Sequence, residues 1–396
     1  MPPLLDASLP RIMAHYQISP GKAVGIFHLG DTLWHVLDLL RTRKNEYPKF
    51  SLSWDPQHPH KSAVVIHLPS LTLYFPHPSQ TLTLISFPSL ASSNVTLTFE
   101  TQLLHAPEHP LTRAKVGRIF GPTFADEGRG LVFPGIKFEM SSEGKGGRED
   151  LVRRLDVNGK EGERLSLPGQ LISCNVQPNK GVVLSIAEEE PLEIILGQTT
   201  AQDLLLDLGH PLRKFWKEDD RLEKMWGGTS EPGYCFWNYF QYGLDFLISP
   251  QFKVHKILCY SNIPGTPLFQ RYARCPWTVS TASGTLNLTS SVATFHSSLF
   301  PRASQYEEEI DGQKSSISDK TRKASKSGAG GTKKKRSGEP PVMVLDRVVE
   351  GGLDGVMNVG ESRLIGYEGL IIEEDQSSGG ISSVLVWQNE GVQSLS

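Results

Sequence analysis

Few residues in this chain have the types and spacing that chemistry needs. Histidines cluster once, at His58, His60, His105 and His109, with Pro59 and Pro107 among them. Imidazoles are ordinary zinc ligands, but no carboxylate or cysteine at ligand spacing joins these four, so they read as surface histidines. Glu218, Asp219 and Asp220 would suit paired acid–base work. Lys214, Lys217, Arg221 and Lys224 surround them, which is the pattern of a solvated charged stretch. The four cysteines, Cys174, Cys235, Cys259 and Cys275, are widely spread and form no C-x-x-C pair. They read as buried or half-buried thiols in a reducing compartment, not as ligands. Gly144–Gly147 and Gly328–Gly331 are glycine-rich, yet neither joins a strand to a helix as a phosphate cradle requires. The nucleophile-elbow, zincin and P-loop motifs are absent. The sequence therefore predicts a protein that is not an enzyme and holds no metal or cofactor.

Charge excludes another class. The 396 residues carry a net charge of −3, too little positive charge to coat nucleic acid. Positive charge concentrates instead between Lys320 and Arg336, where eight Lys or Arg occur without an acid, ending in Lys333, Lys334, Lys335 and Arg336. That run admits three readings: an importin contact, a contact with anionic lipid, or plain solvation. No apolar run approaches the length of a spanning helix, and the first thirty residues lack a signal-peptide pattern, so a cytosolic or nuclear location is expected.

The elements that would position any site repeat along the chain. Leu33, Val36, Leu37 and Leu40 make one apolar helical stripe, with Asp31 or Thr32 as the N-cap. Ala201, Leu204, Leu205 and Leu208 repeat it, with Thr199 or Thr200 as the cap. Each helix precedes a hairpin. Leu71, Leu73 and Phe75 alternate with Thr72 and Tyr74 before a turn and a strand at Thr81–Phe87, and Leu244, Phe246 and Ile248 alternate with Asp245 and Leu247 before Val254–Tyr260. A constant offset of 173 places Leu71 on Leu244 and Ile85 on Leu258. Two weaker copies are expected, one at Gly135–Met140 returning over Leu151–Val157, the other at Gly369–Ile372 returning over Ile381–Trp387. Ile119-Phe120-Gly121-Pro122 and Leu208-Gly209-His210-Pro211 both read as helix stops. Tyr234–Tyr242 is rich in aromatics and reads as a central strand, with an aromatic binding surface as the functional alternative.

The fold expected from this pattern is α+β: four helix-plus-antiparallel-hairpin units arranged as two halves. A flexible N-terminus (1–20) precedes a first half (21–165). The second half comprises 170–300 and 342–390, interrupted by a disordered charged insert at 301–341 whose composition buries little.

The segment Tyr234 to Trp277, with Trp237-Asn238-Tyr239-Phe240, Gly243-Leu244-Asp245, Lys253-Val254-His255-Lys256 and Ser261-Asn262-Ile263-Pro264-Gly265, resembles the phagosome assembly factor family. Phe27-His28-Leu29-Gly30 with its helix and hairpin, and Ile194–Pro211, resemble it more weakly, while 301–341 and much of 88–115 have no placed counterpart. The resemblance implies a non-catalytic regulatory or adaptor role in autophagy at the phagophore assembly site. It implies a β-propeller partner similar to breast carcinoma amplified sequence 3, and cytoplasmic residence before recruitment. The alternative it leaves open is a Golgi or vesicle trafficking protein that contacts phosphoinositide membranes peripherally, with Lys333–Arg336 as the contact. It assigns no partner-binding residue.

Overall fold

A computed structural model describes residues 14–122, 130–141, 147–160, 162, 165–216, 233–299, 340–350 and 357–388. The chain divides into two compact units, Met1–Gln170 and Leu171–Ser396.

Unit 1 begins with a three-stranded meander, β1 (Ala14–Ser19), β2 (Ala23–Val24) and β3 (Phe27–His28), followed by helix α1 (Leu33–Thr42). A second meander follows: β4 (Ser51–Ser53), β5 (Val64–His67), β6 (Thr72–Phe75) and β7 (Leu84–Phe87). The hairpin β8 (Val95–Phe99) and β9 (Gln102–His105) then returns to the first sheet, β8 lying parallel to β1. Helix α2 (Arg113–Phe120) leads to β10 (Gly130–Phe133), β11 (Ile136–Met140) and β12 (Val152–Asn158), which extend the second sheet from β7. The orders are β3-β2-β1-β8-β9 and β10-β11-β12-β7-β6-β5-β4.

Unit 2 repeats this order and adds one closing strand. Its meander is β13 (Leu171–Gln177), β14 (Gly181–Ile186) and β15 (Leu192–Ile195), followed by α3 (Ala201–Asp207). Then come β16 (Arg213–Trp216), β17 (Cys235–Tyr239), β18 (Leu244–Ile248) and β19 (Val254–Tyr260). The hairpin β20 (Trp277–Thr281) and β21 (Gly284–Asn287) places β20 parallel to β13, and α4 (Val292–Leu299) follows. The closing strands are β22 (Val342–Glu350), β23 (Met357–Tyr367), β24 (Leu370–Asp375) and β25 (Ile381–Trp387), with β25 on β19. The orders are β15-β14-β13-β20-β21 and β16-β17-β18-β19-β25-β24-β23-β22. One apolar cluster takes side chains from both sheets and from α3 and α4, so the sheets of this unit face each other across a shared core.

The sequence expectation of a balanced α+β fold is corrected. Among the described residues four short helices accompany twenty-five strands in four sheets, and the protein is mostly β. The hairpins read as four separate units are segments of larger ladders: β12 pairs with β7 and β25 with β19, so edges that would need helical cover are hydrogen-bonded instead. Ala14–Ser19, assigned from sequence to a flexible N-terminus, is the middle strand of its sheet.

The helices form as their stripes require. Leu33, Val36, Leu37 and Leu40 are buried, and the Thr32 hydroxyl accepts from the His35 N–H as the N-cap. In α3 Thr200 takes the same role, completed by Asp203 into a capping box. Gly121 and Gly209 follow α2 and α3 with φ of 86° and 73°, a conformation glycine adopts without strain. The topology nevertheless matches α2 to α4, not to α3.

Backbone contacts fix the equivalences. The Gly30 N–H donates to Leu82 O and the Leu82 N–H to Asp31 O; the Gly197 N–H donates to Val254 O and the Val254 N–H to Thr199 O. Gln80 and Phe252, one turn earlier, share a positive φ of 51° and 58°. Leu82 therefore matches Val254, an offset of 172. Leu73 pairs with Ile85 and Phe246 with Ile257, so Ile85 matches Ile257 and not Leu258. The hairpin of unit 2 is one residue shorter between those partners, and a register shift at Leu247/Ile248 absorbs the difference.

Candidate functional site

The segment most characteristic of the sequence, 234–277, builds a layer that unit 1 lacks. Along β18, Leu244, Phe246 and Ile248 point into the core, which leaves Asp245 and Leu247 on the opposite face. That face is also buried: all five residues of β18 are inaccessible. The cover is the loop 261–276 between β19 and β20, which carries buried Ile263, Phe269, Tyr272 and Ala273.

Asp245 anchors the cover. Its Oδ2 accepts from Tyr260 Oη at 2.9 Å and Tyr272 Oη at 2.7 Å, and the two tyrosine rings stack at 3.9 Å. Burial pushes the carboxyl above its ordinary value of 3.8, opposed by hydrogen bonds from Asn238 and the two tyrosines. Burial and the facing carboxylate push both phenols up. Arg274 Nε donates to Ser261 O at 2.7 Å, and burial lowers its guanidinium from the usual range. Trp277 Nε1 donates to Ser261 Oγ at 3.0 Å, and the Ala273 N–H donates to Phe240 O at 2.7 Å. Gly243 sits at φ 68° under this loop, where any Cβ would collide with the Ala273 carbonyl oxygen. These groups turn toward one another and fix a backbone path; their chemistry holds a loop in place.

The open surface lies at the sheet edge. All four residues of β16 are exposed, and Leu212, Phe215 and Trp216 are large apolar groups at 55%, 43% and 51% exposure. Lys214 Nζ lies 4.2 Å from the centre of the Trp237 ring on the neighbouring strand. In Tyr234–Tyr242 the rings of Trp237 and Tyr239 are buried, so the aromatic surface belongs to β16 rather than to the strand singled out from sequence.

The other candidates fall as follows. His105 is buried, its Nδ1 accepting from the Leu111 N–H at 3.3 Å, which corrects its reading as a surface histidine. Burial beside Lys115 lowers its pKa. His58 and His109 are exposed. Glu218, Asp219 and Asp220, residues 301–339 of the 301–341 insert, and with them Lys333, Lys334, Lys335 and Arg336, lie outside the described residues. The four cysteines are buried thiols. Three of them, Cys174, Cys259 and Cys275, converge until their sulfur atoms lie within 4.8 Å of one another. Sequence spacing gave no sign of this, because 85 residues separate Cys174 from Cys259. Among the described residues no helix is long and apolar enough to cross a membrane.

Fold and site together define a tandem-duplicated, two-sheet β protein whose second copy carries a sealed outer face and an open aromatic edge. The family model described as phagosome assembly factor 1 matches residues 23–155 and 148–387, and the chain belongs to that family. A curated PHAF1 protein of Arabidopsis thaliana is 25% identical over 312 residues, covering 67% of this chain and 75% of the plant protein. No solved structure matches. Membership connects the chain with phagosome assembly and so with an autophagy-related role.

Proposed function

We propose that the chain is a non-catalytic adaptor of autophagy that works at the phagophore assembly site with a β-propeller partner similar to breast carcinoma amplified sequence 3. It resides in the cytoplasm until recruited. The observation that carries this reading is the edge strand β16, whose outer side pairs with no strand among the described residues and which carries Arg213, Lys214 and exposed Phe215 and Trp216 beside exposed Leu212. Open edges of this kind invite pairing with a second chain. An aromatic and Arg-containing patch is the composition of binding hot spots. A propeller fits because the outer strand of each blade is itself a sheet edge, able to extend the ladder, and acidic groups beside that edge would meet Arg213 and Lys214.

Co-purification of the full chain with the recombinant propeller protein tests this. A one-to-one complex is expected, and a Phe215→Asp/Trp216→Asp variant should retain its melting temperature and lose the complex. Undiminished binding by that variant would remove the edge from the interface. Absence of any complex with the unaltered chain would remove the partner.

A further inference from the structure

The cysteine trio stands where unit 1 has no sulfur. In unit 2 Val176 pairs with Val182, and in unit 1 Ile18 pairs with Val24, so Cys174 occupies the position of Tyr16. The matches derived above place Cys259 on Phe87. The parallel pairs Cys174–Trp277 and Tyr16–Leu97 place Cys275 on Val95. Tyr16 and Phe87 meet edge to face at 5.8 Å in unit 1. At the equivalent contact in unit 2 the Cys174 and Cys259 sulfur atoms are 3.8 Å apart. The same fold thus closes this junction with Tyr, Phe and Val, and packing does not demand three thiols there.

We propose that Cys174, Cys259 and Cys275 hold one cuprous ion in a three-sulfur site. An ion about 2.3 Å from each of three sulfurs, in their plane, sets those sulfurs about 4.0 Å apart. The observed 3.8 Å, with every separation within 4.8 Å, is near that triangle. Zinc in structural sites takes four ligands, and among the described residues no His, Asp, Glu or fourth Cys joins the group. Soft thiolates select cuprous copper, for which three sulfurs suffice. Three S–H bonds break, three S–Cu bonds form and three protons leave to water; no electron is transferred, because the ion enters as Cu(I). All three cysteines are fully buried, so the ion is acquired as the unit folds.

The full chain, expressed in copper-supplemented cells and purified anaerobically under reducing conditions, should carry one copper per chain. X-ray absorption should show three sulfur neighbours at about 2.3 Å. The loaded chain should melt about 5–10 °C above the same protein stripped by cyanide, for ion at a hundredfold excess over its Kd. Cys275→Val, which takes its side chain from unit 1, should fold and bind no copper, while Cys235→Ala keeps one equivalent. Absence of copper, its retention by Cys275→Val, zinc in its place, or a Cys174–Cys259 disulfide in the isolated protein would each overturn the proposal.

Discussion

Units 1 and 2 share parallel crossover, helix positions and, apart from one added strand at the edge of unit 2, strand order, yet treat one sheet face in opposite ways. On β6 the outward residues are half-buried Thr72 and exposed Tyr74, and β12, on the far side of β7, carries a partly exposed Arg154–Asp156 ion pair at 2.8 Å. On β18 the corresponding face holds Asp245, which accepts from Tyr272 of loop 261–276, and Leu247, and both are buried. The connection from β7 to β8 in unit 1 is residues 88–94, too short to carry such a lid. A duplicated β scaffold tolerates this divergence because the ladder and the inner core carry its stability, leaving loops and outer faces free to change.

The inner core should respond alike in both copies. Phe246→Ala should cost about 3–5 kcal/mol and its counterpart Leu73→Ala about 2–5 kcal/mol, read by denaturant or calorimetric unfolding. A negligible loss at either would show that its strand does not face the core. The outer faces should respond differently. Tyr272→Phe removes a donor from a buried carboxyl and should cost about 1–3 kcal/mol. Tyr74→Phe, exposed in unit 1, should stay within about 0.5 kcal/mol. Equal losses at the two tyrosines would erase the contrast.

pH sharpens it further. Asp245 has a raised folded pKa, so between 3.8 and that value the folded chain binds more protons than the unfolded one. Its contribution is fully present below the unfolded value and is lost as pH rises through the folded one. The melting temperature of Asp245→Asn should therefore fall less than that of the unaltered chain from about pH 4 to pH 7. Parallel profiles would show that Asp245 does not titrate differently in the folded state.

Local periodicity made part of this legible. The stripes of α1 and α3, the threonine caps and the core-facing residues of β6 and β18 all follow from spacing within a few turns. The strands β1, β13, β8 and β20 were missed because their parallel pairing joins segments roughly 80 to 100 residues apart, where no turn signal marks the partner. Much of 88–115 has no placed counterpart in the family resemblance, yet the family model spans it, and within it β8 and β9 match β20 and β21 in topology. The 173-residue offset slipped at Ile85 because Ile257 and Leu258 are adjacent apolar residues on opposite faces, so residue type alone does not reveal the one-residue change of face. The lid was hidden for a different reason. Ser261, Asn262, Tyr272 and Arg274 are residue types common on surfaces, and only the fold turns them inward.

The central claim is that loop 261–276 is a closed layer of unit 2 rather than a surface connection. Amide hydrogen exchange of the full chain tests it most directly. The amides of Gln270, Ala273 and Cys275, which donate to Asn262 Oδ1, Phe240 O and Tyr260 O, should exchange as slowly as those of β18 and β19. Residues 88–94 of unit 1 should exchange much faster. Exchange of 261–276 at the rate of an open loop would contradict the account.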